Sequence, residues 1–383
     1  MRGPAVRPVV IAAGGTGGHL FPAEALAAEL VRRGQRVVLM TDARSGALGS
    51  PTLAARERYV LPGAGLAGRG AWRAARALVA LASGVVRART LLARLDATAV
   101  VGFGGYPSVP PVLAARLLRN GPPVVLHEQN AVLGRANRFL ARHAACLALS
   151  FAGTTRVPEG VATEVTGLPV RPALAALFDA GYAAPEPAGR LRLLVLGGSL
   201  GARVFSDVVP AALAALPEAL RARLDVVQQC RAEDLDRVRA AYAGAGIVAE
   251  LAPFFADVAA RLAAAHLVIA RAGASTVAEL AVAGRPALLV PLPGAIDDHQ
   301  QANALALVAA GGAEVMSQPD FTAARLSADL AALLGAPGRL RDMAAAARTV
   351  AAVDAARRLA DLVCSFSRAE AGAAAAPRAG GRA

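Results

Sequence analysis

The chain contains no lysine, so each of its 41 basic residues is an arginine. The phosphate-binding P-loop depends on a lysine ammonium, and Schiff-base catalysis depends on a primary amine side chain. The absence of lysine therefore argues against both classes of enzyme. The arginines still outnumber the 28 acidic residues and give a formal net charge of +13. This excess predicts an anionic partner, which is a nucleic acid, a membrane surface or a phosphorylated substrate.

Aromatic residues and cysteines are also scarce. Aromatic residues make up 4% of the sequence, which leaves few rings to stack on nucleobases, and we find neither zinc-finger spacing nor a dense basic run. No nucleic-acid partner is therefore predicted. Cys146, Cys230 and Cys364 are scattered and show no metal-ligand spacing. An odd number of isolated thiols fits a reducing cytoplasm rather than a disulfide framework.

Long hydrophobic runs are missing. Glycines at 14–18 interrupt the first apolar run too early for a signal peptide. The apolar run Ala77–Val86 lies between Arg76 and Arg87. It is much shorter than the roughly 20 residues that a spanning helix needs. We therefore expect a soluble or peripheral protein.

Two distant stretches share one pattern. Val9–Phe21 reads VVIAAGGTGGHLF, and Leu191–Phe205 reads LRLLVLGGSLGARVF. Each predicts a strand, a glycine-rich turn and a helix, which is the geometry that turns backbone N–H groups toward an anion. A length of 383 residues exceeds that of most single domains. We therefore predict an α/β protein with two domains, each with a parallel sheet, that face a shared cleft.

The domain boundary is predicted in the Pro- and Gly-containing stretch 165–172. Residues 1–170 would form the first domain and residues 171–348 the second. A helical pattern at Ala344–Ser365 indicates a helix, at about 349–365, that returns to the first domain. Residues 366–383 are rich in Ala, Gly and Arg and are predicted to be a disordered tail.

The periodicity also predicts individual elements. Helices are predicted at Pro22–Arg33, Trp72–Leu95 and Val109–Arg119. Strands are predicted at Val9–Ile11, Arg36–Thr41, Ala97–Gly102 and Pro123–Leu126, and near 191–196, 224–229, 247–251, 266–270, 287–291 and 313–316.

Two stretches with glycine or polar side chains follow predicted strands of the first domain. Gly102–Ser108 reads GFGGYPS, and His127–Asn130 reads HEQN. Ligands of parallel α/β sheets bind at the carboxyl ends of the strands. Together with the loop at 14–19, these stretches are predicted to form one rim of a site. Polar residues are also ordinary at strand–helix turns, so their position alone does not assign a function.

The second half carries a comparable turn. A predicted strand ends at Arg271, and the small residues 272–275 open a helix, an arrangement that suits a pyrophosphate. Glu279 lies one turn into that helix, where its carboxylate can accept hydrogen bonds from the two vicinal hydroxyls of a ribose. Residues 297–303 (DDHQQAN) offer donors and acceptors for a sugar. The alternatives are a helix-favouring acid near the helix dipole and an ordinary Asp N-cap.

The helix predicted at Trp72–Leu95 combines apolar bulk with many arginines. Packing against the core with a solvated basic face is one interpretation. The other is an apolar patch with an arginine rim that docks on anionic lipid. The residues assigned to this surface are Leu66, Trp72, Arg73, Arg76, Leu78 and Leu81.

Seven motifs occur along the chain in an order and spacing that resemble those of a known family. They are GGTGGH, GFGGYPS, HEQN, VTGLPVR, GGSLGAR, RAGASTVAEL and DDHQQANA. Together, over about residues 8–362, they resemble the MurG family of peptidoglycan N-acetylglucosaminyltransferases. The resemblance implies the GT-B fold, with two Rossmann-like domains, a cleft between the domains, and a last helix that crosses back to the first domain.

The resemblance also implies an activity. It is the inverting transfer of N-acetylglucosamine from UDP-N-acetylglucosamine to the C4 hydroxyl of the muramoyl sugar of lipid I, which gives lipid II. The reaction belongs to peptidoglycan biosynthesis, and so to cell-wall formation, cell shape and cell division. Neither a cofactor nor a metal is implied. The implied location is the cytoplasmic side of the plasma (inner) membrane, as a peripheral protein.

Partners and site residues are carried over in the same way. Implied partners are UDP-N-acetylglucosamine, lipid I, an anionic membrane surface, and proteins of cell-wall synthesis and division. His19 is the candidate general base, since an imidazole titrates near neutral pH; the alternative is that it only orients the acceptor. Implied donor-binding residues are Thr16, Gly17, Gly18, Asn130, Arg171, Ser199, Phe255, Arg271, Ala274, Ser275, Thr276, Glu279, His299, Gln300 and Asn303. Implied acceptor-binding residues are Gly14, Gly15, Gly104, Gly105, Tyr106, Ser108 and Glu128.

The sequence departs from the family pattern at three places. Leu168 stands where the family has Asn, and Leu200 where it has Gln. Residues 228–231 (QQCR) replace a usual His-Gln-Ser/Thr-Gly. These departures put the donor contacts in doubt and leave two alternatives open. One is a GT-B glycosyltransferase with another lipid or natural-product acceptor, and the other is a scaffold that binds lipid I without turnover.

Overall fold

The computed structural model describes residues 7–15, 17–43, 53, 55–62, 71–198 and 201–375. The chain divides into two compact units. As far as they are described, the first unit consists of Met1–Gln129, Leu133–Pro169 and Asp354–Ala383, and the second of Asn130–Val132 and Val170–Val353. The boundary before Val170 lies one residue from the predicted boundary. The sequence gives no sign that the short segment 130–132 belongs with the second unit.

The first unit is built on a parallel sheet. Its strands are β1 (Val9–Ala12), β2 (Val37–Thr41), β3 (Glu57–Val60), β4 (Ala99–Gly102), β5 (Val124–Glu128), β6 (Cys146–Leu149) and β7 (Thr163–Val165). They pair as a seven-stranded sheet in the order β3-β2-β1-β4-β5-β6-β7. The inner strands β1, β2, β4, β5 and β6 are buried along their whole length. Such strands read as continuous apolar runs without alternation.

The second unit repeats this plan. Its strands are β8 (Leu191–Leu196), β9 (Leu224–Gln229), β10 (Val248–Ala252), β11 (Leu267–Ala270), β12 (Ala287–Leu289) and β13 (Ala313–Val315). They form a six-stranded sheet in the order β10-β9-β8-β11-β12-β13, and every described pairing is parallel. All six lie within about two residues of the predicted strands, so the alternation of strands and helices is confirmed.

Helices connect the strands of both units. In the first unit these are α1 (Gly17–Arg32), α2 (Ala71–Leu95), α3 (Gly105–Arg116) and α4 (Arg135–Leu140). In the second unit they are α5 (Pro172–Ala175), α6 (Leu177–Ala180), α7 (Arg203–Ala214), α8 (Glu218–Arg221), α9 (Leu235–Gly244), α10 (Val258–Ala264), α11 (Ala274–Ala283), α12 (His299–Ala309), α13 (Ala323–Leu334) and α14 (Pro337–Thr349), and the last helix, α15 (Ala355–Ala375), belongs to the first unit. Short 3-10 turns occupy Ala141–His143, Ala232–Asp234 and Ile296–Asp298.

Two helices of the first unit begin earlier than predicted. Helix α1 begins at Gly17 instead of Pro22, so His19 lies in its first turn and Pro22 lies inside the helix. Helix α3 begins at Gly105 instead of Val109 and contains Pro110 and Pro111. The predicted starts of both helices were wrong for one reason. The prediction treated glycines as loop residues, whereas these turns place glycine at the helix N-terminus to keep backbone N–H groups accessible.

One strand ends later than predicted. Strand β5 runs to Glu128 and is buried throughout, so His127 and Glu128 are its last residues and do not follow it. These polar side chains are tolerated in a buried strand because each has hydrogen-bond partners, described below.

The predicted helix at 344–365 is two helices. Helix α14 ends at Thr349 and α15 begins at Ala355. Helix α15 belongs to the first unit, and its Leu359, Ala360 and Val363 are buried in the same core as β1 and α1. Arg33 fixes this packing with an ion pair to Asp361 at 2.7 Å. Helix α15 extends to Ala375, past the predicted start of the tail, and residues 376–383 lie outside the described part.

Both sheets have the same switch point. The chain enters each sheet at a central strand, builds one side, and then crosses to build the other side. The reversal falls between β1 and β4 in the first unit and between β8 and β11 in the second. Ligands of doubly wound sheets bind beyond the carboxyl ends of the strands at this point. The predicted loops after β1, β4, β8 and β11 therefore lie where the topology favours a site.

No helix among the described residues is long and apolar enough to cross a membrane.

Candidate functional site

His19 occupies the switch point of the first unit. It lies in the first turn of α1 and is half-buried. Its Nδ1 lies 2.9 Å from Oε1 of Gln129. The rest of the imidazole lies over the turn before α3: a Cβ on Gly104 would be 3.6 Å from His19 Cε1, and a Cβ on Gly105 would be 3.6 Å from His19 Nε2. The structure thus brings together His19 and the GFGGYPS turn, as predicted.

The turn itself has a shape that only glycine adopts easily. Gly104 and Gly105 have φ values of 79° and 68°, in the left-handed region. Ser108 is fully buried and donates from Oγ to the carbonyl oxygens of Ala12 and Gly104 at 3.0 and 2.9 Å. Ser108 therefore ties the turn to the end of β1. Tyr106 points outward and is 40% exposed, where it is free to meet a ligand.

Hydrogen bonds from the HEQN stretch hold Asn137 next to this turn. Glu128 is buried, and its Oε2 accepts hydrogen bonds from the backbone N–H of Gly134 and from Nδ2 of Asn137, each at 2.9 Å. Asn137 also donates to the carbonyl oxygen of His127 at 3.1 Å. Its Oδ1 is buried and has no hydrogen-bond partner among the described residues. Because that oxygen lies near Gly104, Asn137 is a site residue that the sequence reasoning missed; it sits on a separate short helix with no motif around it.

His127 is held neutral in the core. It is fully buried, its Nε2 lies 3.1 Å from the carbonyl oxygen of Gly167, and its Nδ1 lies 3.0 Å from Nε2 of Gln129. Burial, with a smaller contribution from the nearby His19, lowers the pKa of His127 to about 4. Phe103 covers the ring, with centroids 5.3 Å apart. His127 is therefore a hydrogen-bonding group and not an acid near neutral pH.

The second unit places a small-residue turn at its own switch point. Strand β11 ends at Ala270, and α11 begins at Ala274 after the N-cap Gly273. No side chain caps α11, so its first N–H groups face outward, where the helix dipole favours an anion. Ser275 Oγ in the first turn is buried and lacks a partner among the described residues. An orphaned hydroxyl beside open N–H groups suits a diphosphate that supplies acceptor oxygens.

Glu279 lies one turn further along α11. Its side chain is 14% exposed, and its Oε1 lies 3.7 Å from Nη2 of Arg171. Burial raises the pKa of Glu279 to about 7, although Arg171 acts to lower it. A carboxylate with so little water is short of hydrogen-bond donors, and the hydroxyls of a ribose would supply them. Arg171 precedes α5, and its charge keeps the carboxylate available.

Several predicted donor residues have structural partners. Arg271 is buried and donates to the carbonyl oxygens of Val290 and Pro291 at 3.0 and 3.1 Å and to Gln318 at 2.6 Å. The guanidinium of Arg271 is thus held by the protein itself, and its role in supporting the pocket stays a prediction. Gln300 Oε1 accepts from the backbone N–H of Leu292 at 2.9 Å.

Asn303 is fully buried and links three parts of the second unit. Its Oδ1 accepts from the backbone N–H of Ala131 at 2.8 Å, and its Nδ2 donates to Asn130 Oδ1 at 3.1 Å and to the carbonyl oxygen of Ala272 at 3.2 Å. Both amide protons are thus used within the protein. These bonds explain why residues 130–132 belong to the second unit. The role of Asn303 as a sugar ligand stays a prediction.

Three further predicted donor residues lie elsewhere in the second unit or in the first turn of α11. His299 Nδ1 lies 2.8 Å from the carbonyl oxygen of Ile296, which leaves its Nε2 edge outward. Phe255 is buried beneath Arg261, whose guanidinium lies 3.9 Å from the ring centroid. Thr276 is half-buried in the first turn of α11.

Some predicted site residues lie outside the described residues. They are Thr16, Ser199 and Leu66, the side chain of Arg73, and, among the departures, Leu200. Leu168 is buried in the first unit.

Helix α2 carries most of the residues predicted for a membrane surface, but Leu81 is half-buried and packs against the core, so its assignment to that surface was wrong. Trp72, Leu78, Val79 and Val86 are 77%, 58%, 69% and 65% exposed, which is unusual for apolar side chains of this size. The opposite face, which includes Ala77, Ala88 and Leu92, is buried. The apolar groups of α2 thus exceed what its packing against the unit requires.

Comparison with known proteins now identifies the fold family. The glycosyltransferase family 28 N-terminal domain matches residues 9–149, and the family 28 C-terminal domain matches residues 192–359. A protein of Granulibacter bethesdensis is 65% identical over 362 residues, covering 94% of each chain. A protein of Acidiphilium cryptum is 57% identical over 95% of this chain and 98% of its own. Both relatives are named UDP-N-acetylglucosamine–N-acetylmuramyl-(pentapeptide) pyrophosphoryl-undecaprenol N-acetylglucosamine transferase. The crystal structure of Acinetobacter baumannii MurG superimposes with a TM-score of 0.75 at 32% identity, covering 94% of this chain and 99% of that one.

The chain belongs to the MurG family of family 28 glycosyltransferases. The fold is therefore GT-B, and the resemblance drawn from the seven motifs is confirmed. The MurG motifs fall at the two switch points: GGTGGH and GFGGYPS flank β1 and β4, while GGSLGAR and RAGASTVAEL follow β8 and β11. Within HEQN, the sequence reasoning gave no role to Gln129, although its side chain contacts both histidines of the site.

Proposed function

We propose that this chain transfers N-acetylglucosamine from UDP-N-acetylglucosamine to lipid I and so forms lipid II in peptidoglycan synthesis. The observation that carries this proposal is the 65% identity to a transferase of that name over 94% of both chains. The match includes both domains, so neither substrate-binding half of the enzyme is lacking. The site chemistry supports it, since each unit offers helix N-termini where diphosphates bind.

The second unit binds the donor in this proposal. The N-terminus of α11 and Ser275 Oγ hold the diphosphate, and Glu279 accepts hydrogen bonds from the ribose hydroxyls. Arg171, which lies beside Glu279, would then also be close to the negatively charged donor. As the glycosidic bond breaks, charge grows on the diphosphate of UDP. The open N–H groups and the dipole of α11 stabilise that charge at the moment it develops.

The first unit binds the acceptor. The glycine turns after β1 and β4 lie near its diphosphate, and His19 accepts the proton of the C4 hydroxyl. The hydroxyl oxygen then bonds to the anomeric carbon while the bond from that carbon to the UDP oxygen breaks. One displacement at that carbon inverts its configuration. The proton remains on His19 until it passes to water, and UDP leaves as the diphosphate anion.

The first experiment is transfer of labelled N-acetylglucosamine from UDP-N-acetylglucosamine to a lipid I analogue, with a chelator present. Product is expected, because no step of the proposed mechanism passes through a metal. His19→Ala should slow transfer by about 10²–10⁴-fold, the usual contribution of a general base. The matched control is His143→Ala, which removes a histidine of the same unit at the other end of the sheet and should not affect transfer.

The other outcomes separate the alternatives. No product with retained UDP-N-acetylglucosamine binding would indicate a different acceptor. Failure to bind the donor at all would indicate a scaffold protein. Full activity of His19→Ala would contradict its role as base and equally a role in orienting the acceptor.

We also propose that α2 attaches the protein to the cytoplasmic face of the membrane. Its exposed apolar groups suit the acyl boundary, and the exposed Arg76 and Arg87 suit anionic headgroups. Lipid I carries an undecaprenyl chain, so the acceptor itself is in the membrane. Partners in cell-wall synthesis and division stay a prediction.

Vesicle co-sedimentation tests this attachment. Binding should require anionic lipid and weaken with salt. Replacing Trp72, Leu78 and Val79 with serine should abolish it, whereas Val248→Ser, which changes a residue of the second unit that is 62% exposed, should not. Equal binding to neutral vesicles would contradict a role for the arginines.

A further inference from the structure

The side chain of Gln129 joins two imidazoles of the first unit. Its Oε1 lies 2.9 Å from His19 Nδ1, and its Nε2 lies 3.0 Å from His127 Nδ1. On the far side, His127 Nε2 lies 3.1 Å from the carbonyl oxygen of Gly167. These contacts form one continuous chain of hydrogen bonds from Gly167 to His19. His127 and Gln129 are buried and His19 is half-buried, so the chain runs from the core to the site.

The orientation of the Gln129 amide follows from a third contact. Its Nε2 also lies 3.0 Å from the carbonyl oxygen of His127. A carbonyl oxygen can only accept, so the amide atom that faces it must be the NH₂ group. The other end of the amide, which faces His19, is then the oxygen, and this oxygen can only accept. The proton of this bond must therefore belong to His19 Nδ1.

The opposite end of this chain of hydrogen bonds gives the same proton positions independently. The carbonyl oxygen of Gly167 can only accept, so His127 Nε2 must carry the proton of that bond. Burial keeps the His127 ring neutral, since its pKa is about 4, and a neutral imidazole has one donor and one acceptor nitrogen. His127 Nδ1 is then the acceptor for the second N–H of Gln129. The two fixed backbone carbonyls thus determine the same arrangement of protons from both ends.

We propose that Gln129 and His127 are positioning residues that hold His19 as the tautomer with its proton on Nδ1 and its lone pair on Nε2. This inference rests on the proposed role of His19 as general base, and it specifies which nitrogen takes the proton. The Nε2 edge faces the turn of Gly104 and Gly105, and no described residue hydrogen-bonds to Nε2. A lone pair there is available to the acceptor hydroxyl.

The same network serves the step that follows. When Nε2 takes the proton, His19 becomes positively charged, and its Nδ1–H bond to the Gln129 oxygen becomes charge-assisted. The amide dipole stabilises this charge without exchanging a proton. His127 prevents the amide from turning over, because the reversed amide would place two oxygens against each other and leave His127 Nδ1 without a donor. An alternative tautomer of His19 would face the Gln129 oxygen with a lone pair.

The first test reads the tautomers directly in the native protein. The chain has five histidines, so ¹⁵N-histidine labelling gives five imidazole pairs, which single-histidine variants assign. Imidazole ¹⁵N shifts distinguish a protonated from an unprotonated ring nitrogen. We expect Nδ1–H for His19 and Nε2–H for His127. A proton on Nε2 of neutral His19 would overturn the proposal without any activity assay.

The second test is kinetic. Gln129→Met keeps an unbranched chain of similar length and removes all three hydrogen bonds of the amide. The turnover number should fall at least about tenfold but less than the about 10²–10⁴-fold that loss of a base costs, with the donor KM unchanged. The His19 signal should lose its fixed Nδ1–H form. The control is Thr98→Val, which removes a hydrogen bond to the carbonyl oxygen of Pro8 in the same unit, at the amino end of β4, and should leave transfer unchanged.

A double mutant separates positioning from a merely structural role. If Gln129 acts through His19, then His19→Ala with Gln129→Met should be no slower than His19→Ala alone. Losses that multiply would overturn the positioning role. Full activity of Gln129→Met beside a slow His19→Ala would overturn this inference alone. Full activity of His19→Ala would overturn the base assignment as well.

Discussion

Glu279→Gln should make the protein more stable at pH 8 while it weakens donor binding. The substitution keeps the size of the side chain and removes its charge. In the folded protein the carboxyl group is 14% exposed and lies 3.7 Å from Arg171. Burial raises its pKa from the ordinary 4.5 to about 7. The folded state thus holds a proton at pH values where the unfolded chain has released it.

The direction and size of the stability effect follow from linkage. A group whose pKa is raised on folding contributes no penalty below pH 4.5, and the free energy of unfolding falls as the pH rises from there to about 7. The interval between 4.5 and about 7, at about 1.4 kcal/mol for each pH unit, gives a penalty of about 3 kcal/mol. Removing the charge removes that penalty. At about 2–4 °C for each kcal/mol, the Tm should rise by about 6–12 °C at pH 8.

Donor binding should change in the opposite direction. If only the carboxylate binds the ribose, the competent fraction is about nine-tenths at pH 8 and about one-tenth at pH 6, so affinity falls about tenfold over that range. UDP-N-acetylglucosamine is the appropriate ligand, because the terminal phosphate of free UDP itself titrates near pH 6. Glu279→Gln should bind more weakly at pH 8 and lose this dependence.

Calorimetry can measure both quantities on the same samples, as Tm between pH 4.5 and 8 and as affinity by titration. The control is Glu218→Gln, an exposed acid of the same unit. The difference in Tm between Glu279→Gln and the parent should vanish near pH 4.5. A difference that stays constant across the pH range would refute the linkage reasoning. A parent affinity that is flat from pH 6 to 8 would refute the carboxylate as the ribose acceptor.

Three further variants test other parts of the two sites. Ser275→Ala should leave the Tm unchanged, since it removes a hydroxyl that has no hydrogen-bond partner among the described residues. It should weaken donor binding by about 10–100-fold, the value of a hydrogen bond to a charged group. Ser327→Ala is the buried control, and equal effects of the two variants on donor binding would contradict the phosphate role of Ser275. Asn303→Ala should lower the free energy of unfolding by about 2–4 kcal/mol, because it leaves the buried partners at Ala131 and Ala272 unpaired; a change in donor affinity at unchanged Tm would show that Asn303 is a ligand instead. Gly104→Ala should slow transfer about tenfold or more, since its φ of 79° is costly for alanine and the new Cβ would crowd His19 and Asn137. The control is Gly160→Ala, which has a φ of 75° and nothing within 4 Å of the new Cβ, and which should lower stability without slowing transfer. Equal transfer rates for the two variants would refute crowding as the cause.

The central part of the fold was accessible from the sequence because it depends on burial. The inner strands are buried on both faces and read as apolar runs, and in the first sheet β1, β2, β4 and β5 were predicted within about two residues. Strand β6 is equally buried but was not predicted. Strand β3 was missed because it is a largely exposed edge strand with no apolar pattern. The starts of α1 and α3 were misplaced because glycine at a helix N-terminus looks like a loop. The break between α14 and α15 has no Pro or Gly to mark it.

The site divides along a similar line. Residues proposed to meet a ligand through backbone or a single functional group, such as His19 and Glu279, lie in motifs that local chemistry can explain. Residues that act through other residues cannot be found that way. Gln129 has its role because two backbone carbonyls, at His127 and Gly167, fix the direction of its amide. That role depends on contacts that join residues 19, 127, 129 and 167, which no local spacing records.

Burial acts on the two sites in opposite senses, and this difference matches their proposed tasks. In the first unit, burial lowers the pKa of His127 to about 4. Its ring therefore stays neutral over the whole working range, and the direction of the hydrogen-bond chain to His19 cannot reverse with pH. In the second unit, burial raises the pKa of Glu279 to about 7, so its charge is present or absent near neutral pH, and Arg171 and the ligand decide which. The His127 tautomer should thus stay unchanged on mild acidification, whereas protonation of Glu279 should raise the donor KM.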